Sequence, residues 1–350
     1  MGLKDAYHTP TEFCHWALYS LPLPTFLKIM ISRRNIRVKV MQAIYALDAY
    51  TMSPSEVEKG EVTPTLEENE KNGIRVLVEK IQRSSDLFSL MLLYVSKVAQ
   101  FSEINARQRA SKYLPTDEDK VVNTKIAGNT FLWDMLGNTT FQEKVKEDKL
   151  ERFIDEEWVK KIYQSLLKSE SYQEYTAEQS RTNAAEKQIM QHIWRKEMLE
   201  NEDFMEHIGD EWSGWEDDKE MVVMLVENYF RSHKNVNFLQ FISSEKREYA
   251  YSLLKTVLQK DEHIMELIKP KLKNWDAERV AIIDLILLKM GVAELLYFPT
   301  IPTKVTINEY IEIAKNYSTP QSGQFVNGVL DNLLKELVSA NKIRKIERTK

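Results

Sequence analysis

Val305-Thr306-Ile307-Asn308-Glu309-Tyr310-Ile311-Glu312-Ile313-Ala314-Lys315, then Gln324-Phe325-Val326-Asn327-Gly328-Val329-Leu330-Asp331 after a short Pro/Ser/Gly break, decides how this chain is read. Pro302 bounds the first segment, and both segments carry helical periodicity. Neither looks catalytic. Together they read as part of a small helical bundle that presents polar and aromatic groups at a helix start.

The rest of the composition agrees. Glycine and proline are scarce, at 10 each in 350 residues, so tight turns are few and the expected class is all-α. At 43% hydrophobic and 29% charged residues, there is ample material for a core. The net charge of -5 means that nucleic acid would have to be held by a local basic patch. Cys14 is the single cysteine, which excludes an internal disulfide framework and a cysteine-based zinc site, and fits a cytoplasmic location. No apolar run reads as the roughly 18–20 residues that a membrane span needs. Residues 1–29 contain an apolar piece broken by Pro22 and Pro24, with no signal-peptide framing. They read as an extension ahead of Met30, with a miscalled start as the plainest origin.

Working outward, the next informative stretch is Ser32 to Asp48. Ile36, Val40, Ala43, Ile44 and Leu47 define a buried helical face, and Ser32 is a suitable N-cap. Arg33, Arg34, Arg37 and Lys39 crowd its first two turns with no acid before Asp48. That placement opposes the helix macrodipole. Phosphates would reverse the penalty; a solvated basic turn on a core helix is the plainer alternative.

Residues 51–65 read as a linker. Helical periodicity follows in two pieces, Ile74–Ile81 and Leu87–Phe101, the second apolar enough to be packed. Further helical pieces cover Val145–Leu167 and Ala177–Leu199, with Trp and Tyr residues that suit a core. Residues 200–220 are strongly acidic, with Lys219 the one base; they read first as a solvated loop, with a basic-partner site as the minority reading and a cation site disfavoured because calcium-loop spacing is missing. Beyond them, Met221–Phe230 and Tyr249–Leu272 are amphipathic. A helix is expected from a cap at Asp276 to about Tyr297, with Gly291 marking a close helix–helix approach. The tail at 339–350 is basic and expected to fray.

Much chemistry is missing from the sequence. There is no phosphate-cradling glycine loop, no H-E-x-x-H and no serine elbow, and the six histidines lack metal spacing. The reading is a non-enzyme without cofactor or metal.

Several blocks now point the same way. Arg33-Arg34-Asn35-Ile36-Arg37 with Gln42-Ala43-Ile44-Tyr45, Trp275-Asp276-Ala277-Glu278-Arg279 with Asp284 and Leu287, Pro302 to Glu309, Ala314-Lys315, and Phe325 to Asp331 resemble the NusB family in order and spacing. The resemblance covers roughly residues 31–50 and 220–338. It implies an all-α fold of two small three-helix bundles, with residues 30–50 as the first helix, 51–219 as a large helical insert and 220–338 as the remainder. It also implies a transcription antitermination factor that binds single-stranded boxA-type RNA with NusE, a ribosomal protein, and helps RNA polymerase read through ribosomal RNA operons.

Carried over by position, the RNA-side candidates are Arg33, Arg34, Arg37, Gln42, Tyr45, Lys304, Phe325 and Asn327. Asp284 and Gln321 fall at the protein-partner surface, although Gln321 stands where some members carry an acid. Phe325 and Asn327 have a second reading, as a core aromatic and as part of a close-packed helix start. Two other functions compete. One is a helical protein-interaction scaffold in ribosome biogenesis. The other is a module related to RNA cytosine methyltransferases, for which the chain leaves no catalytic domain. In the favoured reading, the Arg-rich helix packs beside Phe325 to form an RNA groove.

Overall fold

In the computed structural model, residues 30–51, 65–114, 116–117, 122–234, 236–272 and 280–346 are described. Among them there are 14 α-helices and no strand, so the chain is all-α as expected. The N-terminal extension at 1–29, most of the linker at 51–65, and Trp275 to Arg279 with the Asp276 cap lie outside the described residues.

Helix α1 spans Arg33–Thr51. The expected cap is present: Ser32 Oγ accepts from the Asn35 amide at 3.1 Å. Helix α2 spans Leu66–Ala110 as one continuous 45-residue rod, where the sequence suggested two pieces. A capping box starts it, with Thr65 and Glu68 satisfying each other's amides. Ser84 and Ser85, which lie between the two pieces, are buried inside the rod. Ser84 donates back to the Lys80 carbonyl at 3.0 Å, so its hydroxyl is satisfied without breaking the helix.

By length and composition α2 is apolar enough to cross a membrane, contrary to the sequence reading, and 72% of its most apolar stretch is buried inside the protein. Its apolar surface is therefore accounted for by packing.

Shorter helices follow: α3 Thr130–Leu136, α4 Thr139–Glu147, α5 Glu156–Leu166, α6 Glu170–Ala177, α7 Asn183–His192 and α8 Glu202–Glu211. Asn129, Asn138, Asp155, Ser169, Thr182 and Asn201 cap them through side-chain oxygens, which explains how so many short helices survive. The chain continues as α9 Trp215–Arg231, α10 Ser244–Gln259, α11 Asp261–Ile268, α12 Ile282–Tyr297, α13 Thr303–Tyr317 and α14 Ser322–Ser339.

Two mutually packed helix triplets organise the part that holds the site. One is α1, α10 and the start of α2; the other is α12, α13 and α14. Helix α12 joins them, since it also packs on α1 and α10. The first triplet thus draws on residues expected at the start of the insert. Farther along, α2 packs against α4, α5 and α9 and becomes the spine of the helices that lie between the two triplets in the chain.

Gly73 sits where three helices converge, because a Cβ there would meet Leu47 of α1 at 3.0 Å and Leu254 of α10 at 3.2 Å. Gly291 carries the close approach expected of it: a Cβ would meet both Leu330 methyls of α14 at 3.0 Å. Gly291→Val is expected to destabilise the fold by about 1–3 kcal/mol through overpacking. A urea midpoint lower than wild type would register it.

The acidic stretch at 200–220 is not a loop. It forms α8 and the start of α9, and Asp218 is buried. The tail is held as far as it is described: the Ile346 amide donates to Pro299 O at 3.0 Å. Lys345 Nζ reaches the Glu294 and Phe298 carbonyls at 2.9 Å each, capping the end of α12. Burial depresses the Lys345 ammonium to about 8.

Candidate nucleic-acid interface

Five polar groups of α1 reach other helices. Arg33 donates to Glu245 of α10 at 2.5 Å. Arg34 forms a fork to Glu309 of α13, with Nε and NH2 each 2.9 Å from a carboxylate oxygen. Arg37 forms a second fork to Glu294 of α12 at 2.9 and 2.8 Å. Lys39 meets Asp218 of α9 at 2.5 Å, and Gln42 Nε2 donates to Asp217 at 2.8 Å. The acid missing from the first turn of α1 is therefore supplied from neighbouring helices, which answers the unfavourable placement against the macrodipole.

These pairs differ in depth. Arg37 is 2% exposed and Glu294 is fully buried. The Glu294 carboxylate also accepts from Tyr249 at 2.7 Å, Thr306 at 2.7 Å and Tyr310 at 3.2 Å. The Arg37 guanidinium lies over the Tyr249 and Tyr310 rings. Burial pushes the Glu294 carboxyl up, but the Arg37 fork and the hydroxyl donors outweigh it and hold the group below its usual range. Burial lowers and the Glu294 fork raises the Arg37 guanidinium, with a net rise.

Two RNA-side residues are thereby corrected. Arg37 is locked beneath the surface because its fork is spent on Glu294. Phe325 is 5% exposed and belongs to the core cluster, so its ring face is not offered to a base. The α1 helix packs chiefly on α2, α10 and α12, while α14 packs on α12 and α13, so the expected packing of α1 beside Phe325 is not what the fold provides; α13 reaches α1 through the Arg34–Glu309 fork. Asp284 is corrected as a surface group: it is 5% exposed, and Oδ2 accepts from Ser322 Oγ at 2.7 Å. It acts from below on the start of α14, where Gln321 is exposed.

The remaining candidates stay accessible. The Arg34 side chain is 50% exposed and Tyr45 is 45% exposed. They are 11 residues apart, three turns, which places them within about 20° on one edge of α1 and about 16 Å along it. Gln42 and Arg33 are half-buried beside that edge. Lys304 is exposed at the start of α13 and makes no ion pair with a described residue. Asn327 is exposed on the first turns of α14.

Sequence reasoning missed the acids. Glu294 stood as a lone carboxylate near the end of an apolar helix, a pattern that signals a buried cationic partner. Glu309, Glu245 and Asp217 gave no such signal, because exposed-looking acids on amphipathic helices are commonplace.

The chain is all-α and built on two helix triplets, with a basic opening helix edged by an exposed tyrosine. Residues 214–335 match the model of the NusB family. Among similar proteins, "Transcription antitermination protein NusB" of Salinibacter ruber is 44% identical over 102 residues, 29% of this chain and 64% of that protein. The protein of the same name from Methylacidiphilum infernorum is 43% identical over 95 residues, 27% of this chain and 66% of the relative. That of Koribacter versatilis is 39% identical over 101 residues, 29% and 69% respectively. The chain thus aligns with just under two thirds of the first two relatives and just over two thirds of the third. No solved structure matches. The chain belongs to the NusB family.

Proposed function

We propose that this chain is a transcription antitermination factor that binds single-stranded boxA-type RNA together with NusE and promotes read-through of ribosomal RNA operons, in the cytoplasm. The observation that carries the reading is the exposed edge of α1, where Arg34 and Tyr45 stand three turns apart beside Gln42, with Glu309 linking that edge to α13 and its free Lys304. Guanidinium and ammonium groups suit phosphates, whose counterions they release. A tyrosine face suits an unpaired base, and an amide suits its edge. The names of the relatives support the same role.

In this reading Arg33, Arg34, Gln42, Tyr45, Lys304 and Asn327 face RNA. Gln321, with Asp284 beneath it, faces NusE. Residues 30–50 and 220–338 carry the activity, and the helices inserted between them elaborate the bundle.

Titration of a boxA-like RNA, with and without NusE and at several salt concentrations, tests it. Tighter binding with NusE and affinity falling as salt rises are expected. Arg34→Ala should weaken binding and reduce the slope of log affinity against log salt by about one. Binding insensitive to both salt and Arg34→Ala would overturn the reading.

A further inference from the structure

We infer that Glu309 is a specificity-determining residue of this face: it occupies Arg34 as a built-in substitute for phosphate, so that only a strand making several contacts at once displaces it. This rests on the RNA-binding reading above.

The geometry is that of phosphate recognition already satisfied from within. A guanidinium offers a planar fork that fits a carboxylate or a phosphate in the same bidentate way. Both oxygens of Glu309 are engaged by Nε and NH2 of Arg34, each at 2.9 Å. The two partners are unequally held. Glu309 is 20% exposed and also lies 3.6 Å from NH1 of the buried Arg37, which pins it from beneath. Arg34 is 50% exposed and has solvent on its other side. The arginine is therefore the partner that can leave, and the acid stays in place.

Acids also engage the residues on the two flanks of that edge. Glu245 engages Arg33, and Asp217 engages the amide of Gln42. Tyr317 OH donates to the Asp217 carbonyl at 3.2 Å, which helps fix that turn. A single phosphate exchanging for one carboxylate trades one charge-assisted pair for another and gains little. A strand that also stacks on Tyr45 and meets Lys304 collects contacts that Glu309 cannot supply. The acids thus suppress binding through the backbone alone, the sequence-independent part of RNA affinity.

Four proteins test this: wild type, E309Q, E309D and E312Q. Each is titrated with a boxA-like strand and with a scrambled strand of equal length, at low and high salt. Glu312 is a neighbouring acid on the same helix, paired with Lys315 at 2.7 Å, so E312Q makes the same charge change without freeing Arg34. For E309Q, affinity for the scrambled strand should rise about three- to tenfold at low salt, with a salt slope steeper by about one. The boxA-like strand should gain less, so discrimination narrows.

E309D keeps the charge but is one methylene shorter and cannot close the fork equally well. It should fall between wild type and E309Q, which also guards against a folding defect in one variant. Equal affinities for E309Q and E312Q would reduce the effect to net charge and overturn the inference. Wild type binding as proposed with E309Q unchanged would overturn the role of Glu309 alone. Absence of salt-dependent binding in wild type and E309Q alike would overturn the RNA reading and this inference together.

Discussion

Arg37→Ala is expected to destabilise the fold by about 3–5 kcal/mol, the range for removing one partner of a buried ion pair. The reason is what remains. Glu294 is fully buried, and its partner contributes two of the five bonds that keep the carboxylate charged there. Three hydroxyls from α10 and α13 would remain aimed at a carboxylate that no longer has its counter-charge. Arg37→Met combined with Glu294→Gln should recover part of the loss, because no charge is buried, an amide oxygen in the place of Oε2 still accepts from Tyr249 and Tyr310, and the amide NH2 in the place of Oε1 can donate to the Thr306 hydroxyl. The coupling read from a double-mutant cycle in urea should be large and favourable for the intact pair. Additive losses would contradict the geometry described above.

The pH dependence has a definite sign. The folded Glu294 carboxyl lies below its ordinary value, so its contribution is complete above the unfolded value of about 4.5 and is lost as pH falls through the lower folded value. Urea midpoints measured between pH 6 and 3 should fall for wild type and fall less steeply for Glu294→Gln. RNA binding separates this role from direct recognition. Arg37→Ala, once corrected for the folded fraction, should keep the wild-type salt slope, whereas Arg34→Ala should not. Equal slopes for the two variants would return Arg37 to the phosphate-contacting set.

How much of this was legible in the chain differs by region. The helical class followed from scarce glycine and proline, and the buried face of α1 followed from Ile36, Val40, Ala43 and Ile44, all buried as read. Gly291 was read correctly because a mid-helix glycine is locally unfavourable and needs a packing reason. The basic turn of α1 was identified, but its four cations could not be sorted by depth. Periodicity places Arg37 and Arg34 a turn apart on neighbouring faces, and only the positions of α12 and α13 decide which one is sealed. The same limit applies to Phe325, whose two readings depend on how α14 packs in the bundle, where the ring is buried.

Asp218→Ala carries the second large expected effect, and it concerns the stretch that the sequence presented as a solvated acidic run. Asp218 is 5% exposed, with Lys39 Nζ at 2.5 Å on one oxygen and Ser84 Oγ at 2.6 Å on the other. It ties α9 to α1 and to the middle of α2, at the junction between the two triplets and the helices that α2 carries farther along. Removing it leaves the Lys39 ammonium, 4% exposed, without its anion, at an expected loss of about 3–5 kcal/mol. Ser84 would suffer less, because its single hydroxyl proton can turn to the Lys80 carbonyl at 3.0 Å. Lys39→Met with Asp218→Leu should therefore restore most of the stability, unlike the Arg37 and Glu294 pair with its three dependent hydroxyls. Glu216→Ala, two residues earlier and exposed, should change stability by no more than about 0.5 kcal/mol. A urea series over wild type and these three variants decides the matter: if Asp218→Ala costs no more than Glu216→Ala, the acidic run is a solvated face after all, and the junction is held by apolar packing alone.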